Sequence, residues 1–289
     1  MYTVDNAVIM AAGTASRFAP LSYEKPKALI SVKGEVLIER QIRQLQAAGV
    51  PEVYIVVGYK ADQFYYLEEK FGVHIVENPD YLTRNNNASI YAVRDILKNT
   101  YICSADNYFA QNPFEREVSD CYYAAVYAEG PTKEWCLDYD ESGRIRRVQI
   151  GGENAWFMLG HTFWNEAFSK KFVEILVAEY DRPETADLLW ESIYMNHLEE
   201  LDMKIRKYDS DVVFEFDTLD ELREFDGSYI GDTRSEILKA VAAQLNCQEQ
   251  EIRQVVSYKD ETNEAAGFTF EQGGARYQYG YNDKILRRI

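Results

Sequence analysis

The stretch Gly13-Thr14-Ala15-Ser16-Arg17-Phe18-Ala19-Pro20-Leu21, with Lys25-Pro26-Lys27 four residues further on, holds the residue types best suited to bind an anion. A glycine-containing loop at the end of a strand lets backbone N–H groups approach a phosphate. Arg17 can fork onto phosphate oxygens and Lys27 can supply a point charge. Residues 1–35 carry four bases against three acids, so this segment is net positive inside a chain of net charge −17. The plain alternative is a solvated loop with incidental bases. Neither GxGxxG nor GxxxxGK[ST] occurs, which removes dinucleotide-dehydrogenase and Walker-type ATPase readings.

Three carboxylates could serve a hard cation. Asp106 ends an apolar run, and Glu215 and Asp217 stand two apart in a strand-like pattern from Val212 to Asp217, which would turn both to one face. Mg²⁺ is usually held by one or two carboxylates plus substrate phosphates, which suits such a set, although strand-end carboxylates are commonly just solvated. Trp190 follows Asp187 by three residues in a helical pattern from about Thr185 to Glu200, which would put indole and carboxylate on one face. That pair suits a cation without N–H donors, each cation–π contact contributing about 0.5–2 kcal/mol. Core packing is the alternative for any single tryptophan. His74, His161 and His197 lie far apart and the four cysteines form no CxxC pair, so a His-centred triad, a zinc knuckle and a disulfide framework are not indicated.

Around these groups the first half of the chain alternates. Val8–Ala12, Val53–Val57, His74–Val76 and Tyr101–Ala105 read as strands, and Val36–Ala48, Asp62–Phe71 and Ser89–Leu97 as helices. Continuous apolar runs separated by helices indicate a parallel sheet covered on both faces, with ligands beyond the carboxyl ends of its strands. Closely spaced strand-like runs follow (Cys121–Ala128, Leu137–Tyr139, Ile145–Ile150, Trp156–Phe163), then helices Glu166–Tyr180 and Thr185–Glu200. From Thr233 a helix and a hairpin around Gln272-Gly273-Gly274 form a tail. The expected fold is α/β, a mixed, mostly parallel sheet sandwiched by helices over residues 1–228, with a small α+β extension over 229–289. The 289 residues allow one large domain and a small second one. The charge of −17 argues against nucleic acid and anionic membrane surfaces as partners, and no run approaches a membrane span, so a soluble cytoplasmic protein is expected.

The string Met10-Ala11-Ala12-Gly13-Thr14-Ala15-Ser16-Arg17-Phe18-Ala19-Pro20-Leu21-Ser22 with Lys25-Pro26-Lys27 resembles the signature AAGxGSRxxPLTxxxPK of nucleotidyltransferases that make NDP-sugars and CDP-alcohols. Ala15 replaces the usual second glycine and Ser22 the usual threonine. Asn85–Tyr91, Ser104–Asn107, Glu134-Trp135, Asp187–Trp190 and Phe214–Asp217 are similar to bacterial CTP:phosphocholine cytidylyltransferases, over about residues 1–228. Sugar-nucleotide members usually carry a GTA-type turn where this chain has Asn86 to Ser89, which favours the choline branch. The resemblance implies a Rossmann-like sandwich of the nucleotide-diphospho-sugar transferase type, with CTP and phosphocholine as substrates and Mg²⁺ as the metal. It implies Arg17 and Lys27 as catalytic cations, and Ala11, Ala12, Gly13, Asn86, Ala88, Ser89 and Ala105 around the nucleotide. It further implies Glu134, Trp135, Asp187 and Trp190 around the acceptor, and Asp106 and Asp217 on the metal with Glu215 beside them. A sugar-1-phosphate nucleotidylyltransferase, a cytidylyltransferase for another amino-alcohol phosphate, and a non-catalytic nucleotide-binding module remain as alternatives. The oligomeric state stays open. The tail distantly resembles the opening strands of choline-kinase-like lobes, but no HxD or DFG motif follows, so kinase activity is not expected.

Overall fold

The apolar runs of the first half become parallel strands; three of them are largely buried, while His74–Glu77 lies at the sheet edge and is only partly covered. In the computed structural model, which describes residues 1–261 and 265–289, these strands are β1 (Asn6–Ala11), β2 (Val53–Val57), β3 (His74–Glu77) and β4 (Thr100–Ser104). A short strand β5 (Asn107–Phe109) follows, then the long strands β6 (Tyr122–Tyr139) and β7 (Ile145–Trp164), and finally β8 (Lys204–Lys207) and β9 (Val213–Glu215). The main sheet has the order β8-β6-β7-β4-β1-β2-β3. Its neighbours run parallel except at β7, which is antiparallel to both β6 and β4. The mixed, mostly parallel expectation therefore holds. β6 and β7 each read as two runs in sequence because polar stretches interrupt them, at Glu129–Lys133 and Gly151–Asn154. The ladder absorbs these stretches through register shifts.

The covering helices follow the apolar period where it is strong. Helix α1 (Leu37–Ala47) buries Leu37, Ile38, Ile42 and Leu45. Helices α2 (Tyr66–Phe71) and α3 (Asn87–Ala92) are shorter than expected. Helix α4 (Glu166–Glu179) is capped by the Asn165 side chain, which accepts from the Phe168 N–H at 2.9 Å. Helix α5 spans only Trp190–Asn196, not Thr185 to Glu200. Two asparagines intervene. Asn87 Nδ2 donates to the carbonyls of Thr185 and Leu188, Asn85 Nδ2 donates to that of Asp187, and the Asn85 N–H donates to that of Ala186. These bonds take up carbonyls that a helix starting at Thr185 would use, so the segment stays irregular until Trp190.

The chain gathers into two compact units. The first comprises Met1–Gly13 and Leu37–Glu215, the second Thr14–Val36 and Phe216–Ile289. This division differs from the expected boundary near residue 228, because the signature segment clusters with the tail. The second unit holds 3₁₀ turns at Ser16–Phe18 and Lys27–Leu29, a helical turn at Leu21–Glu24, and helices α6 (Leu219–Phe225), α7 (Ser228–Gly231) and α8 (Glu236–Leu245). An antiparallel sheet of β10 (Arg253–Lys259), β11 (Ala265–Gln272), β12 (Ala275–Gly280) and β13 (Leu286–Arg288) completes it, with the expected tight turn at Gly273-Gly274. Among the described residues no helix is long and apolar enough to cross a membrane.

Candidate active site

Strand β1 delivers the chain to the signature loop. Ala12 is buried and its carbonyl accepts from the Tyr59 N–H at 3.0 Å, while Gly13 is exposed, with open space where a Cβ would stand. Ala15 adopts φ 46°, ψ 47°. An L-residue there costs about 1–2 kcal/mol relative to its preferred regions, which explains the glycine usual at that point of the signature. The following turn presents Arg17 to solvent, whereas Lys27 is buried. Both cations face Asp217, with Arg17 Nη1 2.7 Å from Oδ2 and Lys27 Nζ 3.7 Å from Oδ1. The second unit thus carries a two-cation, one-carboxylate cluster. Strand β9 ends at Glu215, and buried Phe216 begins the irregular approach to the Thr218 cap of α6. The two-residue alternation expected to align Glu215 with Asp217 therefore stops short of Asp217.

In the first unit Asp106 lies in the turn joining β4 to β5. Buried Gln41 of α1 pins that turn, donating from Nε2 to the carbonyls of Ser104 at 2.9 Å and Asn107 at 2.8 Å. Glu215 pairs in register with Asn107, which brings it beside the Asp106 turn. Among the described residues no group of three or more His, Cys, Asp or Glu side chains forms a ready metal cage. A pair of hard carboxylates that leaves coordination positions for phosphate oxygens and water fits Mg²⁺.

A pocket in the first unit is lined by Tyr123, Trp135, Met158, Leu189, Glu191 and Glu215, with Ser104 and Asn107 near the Asp106 turn. Glu191 is held from two sides. Oε1 accepts from Tyr123 Oη and Oε2 from Asn86 Nδ2, each at 3.2 Å, and Asn86 Oδ1 in turn accepts from the Trp190 N–H at 2.7 Å. Burial pushes the Glu191 carboxyl up to about 7, and the bonds from Asn86 and Tyr123 oppose part of that rise. Trp135 lines the pocket. Glu134 is exposed and does not, since successive residues of a strand face opposite ways.

Trp190 is corrected from cage wall to core. It is 1% exposed, stacks behind Tyr123 at 5.7 Å and 14°, and packs edge-on against Trp164 at 5.0 Å. Asp187 is exposed and precedes α5, so the helical spacing that paired it with Trp190 does not apply. Ala88, Ser89 and Ala105 are buried, the Ala105 N–H donates to the Met10 carbonyl at 3.1 Å, and Ser89 Oγ accepts from Asn78 Nδ2 at 3.3 Å. Sequence reasoning missed Glu191, Tyr123 and Gln41. Glu191 follows the singled-out Trp190 directly, but only the true start of α5 shows that it, not Asp187, turns to the pocket.

A model of the MobA-like NTP transferase domain matches residues 7–135. The chain is 38% identical over 235 residues to the 2-aminoethylphosphonate cytidylyltransferase of Lancefieldella rimae, a match covering 80% of this chain and 95% of the relative. It is 33% identical over 220 residues to the choline-phosphate cytidylyltransferase of Streptococcus pneumoniae, covering 76% of this chain and 96% of that one. The chain belongs to the bacterial cytidylyltransferases of the MobA-like NTP transferase family. The solved structure of the CTP:phosphocholine cytidylyltransferase from Streptococcus pneumoniae superposes with a TM-score of 0.75, covering 78% of this chain and 99% of that one. This cytidylyltransferase therefore has the sandwich that the signature implied, and between a fifth and a quarter of it is additional to these relatives.

Proposed function

We propose that this cytidylyltransferase moves the cytidylyl group of CTP onto a small phosphate or phosphonate whose other end carries an ammonium group. The observation that carries this reading is the pocket in which Glu191 and Glu215 stand beside the rings of Tyr123 and Trp135. Acids and aromatic rings together suit an organic cation. An acceptor oxygen, already ionised near neutral pH, attacks the α-phosphorus. The new P–O bond forms as the α–β bridging bond breaks, and the electron pair leaves on pyrophosphate. No protein nucleophile is needed, so the work is positioning and charge neutralisation.

Arg17 is assigned to the β- and γ-phosphates and Lys27 to the α-phosphate and the incoming oxygen. The backbone of Ala11, Ala12 and Gly13, with Ala88, Ser89 and Ala105, is assigned to the cytidine. Mg²⁺, held by Asp106 with Glu215 beside it, would supply charge neutralisation at the α-phosphate. Asn86 acts through Glu191, holding its carboxylate toward the pocket.

Within the ammonium class, a primary amine such as 2-aminoethylphosphonate or phosphoethanolamine is favoured. Glu191 offers hydrogen-bond acceptors, and the withdrawal of Trp190 into the core leaves Trp135 as the indole in the lining. The name of the Lancefieldella rimae relative points the same way. Phosphocholine is the second reading, favoured by the rings of Tyr123 and Trp135 with Met158. A crystal soaked with 2-aminoethylphosphonate should place the nitrogen against Glu191 and Trp135. A nitrogen bound elsewhere, with the pocket empty, would overturn the assignment.

A further inference from the structure

The segment after Asp232 packs on the loop that carries Arg17 and Lys27. We propose that this extension, residues 233–289, is a positioning element that holds the signature loop ready for the nucleotide triphosphate. The inference rests on the reading that Arg17 and Lys27 bind that triphosphate.

The contacts lie wholly within the second unit. Tyr281 stacks on Tyr23 with ring centroids 3.7 Å apart and planes at 11°. The Ile237 N–H at the start of α8 donates to Glu24 Oε1 at 3.2 Å. Arg234 Nη1 donates to the Ser31 carbonyl at 2.8 Å. Strand β10 packs against the Ser16–Phe18 turn that bears Arg17. The extension thus touches the signature segment at its first cation, between the two and beyond the second.

The loop needs such support. Its own backbone bonds are those of single turns, Phe18 N–H to Ala15 carbonyl at 2.9 Å and Ala19 N–H to Ser16 carbonyl at 3.2 Å, and Ala15 is held in the left-handed region. Fixing each backbone residue costs about 1–2 kcal/mol, so a loop ordered only by its ligand would take that cost from binding. A loop ordered beforehand by Tyr281, Arg234 and α8 leaves more of the phosphate contacts to appear as affinity. Coupling is reciprocal, so CTP should also slow hydrogen exchange in the extension.

The test is CTP binding by calorimetry without acceptor, on Tyr281→Ala, Arg234→Ala and the double variant, with Tyr281→Phe as the rescue and Arg17→Ala as a control on the underlying reading. The expected result is a rise in the CTP dissociation constant of about 3–30-fold for the alanine variants, on the scale of one or two lost contacts, with near-native affinity in Tyr281→Phe. Steady-state KM for CTP should rise in step while KM for the acceptor holds. Thermal melts and far-ultraviolet dichroism identify any variant that does not fold, and Arg234→Ala and the exchange measurement on the native chain then carry the test. Folded alanine variants with native CTP affinity, or equal rises in both KM values, would overturn the proposal. Loss of CTP binding in the extension variants but not in Arg17→Ala would instead remove the assignment of Arg17.

Discussion

Replacing Glu191 by glutamine removes one negative charge from the proposed acceptor pocket while keeping its shape. Glutamine can still accept from Asn86 Nδ2 through its oxygen and donate to Tyr123 Oη through its nitrogen, the two partners that hold Glu191 at 3.2 Å. What disappears is the charge that an ammonium group would meet. At about 4 Å and an effective dielectric near 20 the gross attraction is about 4 kcal/mol, much of it offset by desolvation. A hydrogen bond to a charged group is worth about 1.5–3 kcal/mol net, so Glu191→Gln should lower kcat/KM for 2-aminoethylphosphonate by about 30-fold. Phosphocholine, with no N–H to donate, should lose less than about 5-fold.

The pH dependence gives a second readout. With burial pushing the carboxyl up to about 7, it is protonated below that and ionised above, and kcat/KM for a primary ammonium should rise from pH 6 to 8. Ionisation of the acceptor's own phosphate is common to wild type and variant, so the difference between their profiles isolates Glu191. Folding carries the opposite sign. The pKa is raised from 4.5 to about 7, so the folded form binds the proton more tightly and wild type loses stability as pH rises from about 4.5 through 7, by at most about 3 kcal/mol. Glu191→Gln escapes that loss. The assay is pyrophosphate release at saturating CTP with each acceptor, beside denaturant midpoints at pH 5 and 8. Equal losses for both acceptors, or none, would refute the reasoning.

Other outcomes follow from the same structure. Lys27→Ala should lower kcat by about 10²–10³, the usual effect of losing one positioned charge, in a stopped assay at saturating substrates. Trp190→Phe should destabilise the fold by about 1–3 kcal/mol in urea melts yet leave the acceptor KM within about 2-fold, because the indole packs behind Tyr123 outside the pocket lining. His161 is buried, its Nε2 lies 2.7 Å from Tyr122 Oη, and burial pulls its pKa from 6.5 down to about 3. The unfolded chain then takes up the proton first, so stability is full above pH 6.5 and falls by about 5 kcal/mol as pH drops through 3, a slope that His161→Gln should flatten in pH-dependent denaturation.

Where one local rule dominates, sequence and structure agree. Val53–Val57 is a strand in both because a fully apolar run of five in this spacing has no helical face, and α1 falls where Ile38, Ile42 and Leu45 repeat. The signature segment was legible for a different reason, since its string of residues from Met10 to Lys27 resembles that of a family to which the chain belongs. The acceptor pocket was harder to read. Whether residue 187 or residue 191 faces it depends on where α5 begins, and that is decided by Asn85 and Asn87 about a hundred residues earlier in the chain. The grouping of the signature with the tail was equally hidden, because Tyr23 and Tyr281 carry no pattern that links them.

Initial rates of pyrophosphate release from CTP and Mg²⁺, with 2-aminoethylphosphonate, phosphoethanolamine, phosphocholine and glucose-1-phosphate as parallel acceptors, test the central claim most directly. The account predicts turnover with the ammonium-bearing acceptors, fastest with a primary amine, and none above background with the sugar phosphate. Equal turnover with glucose-1-phosphate, or no release with any of the four, would contradict it.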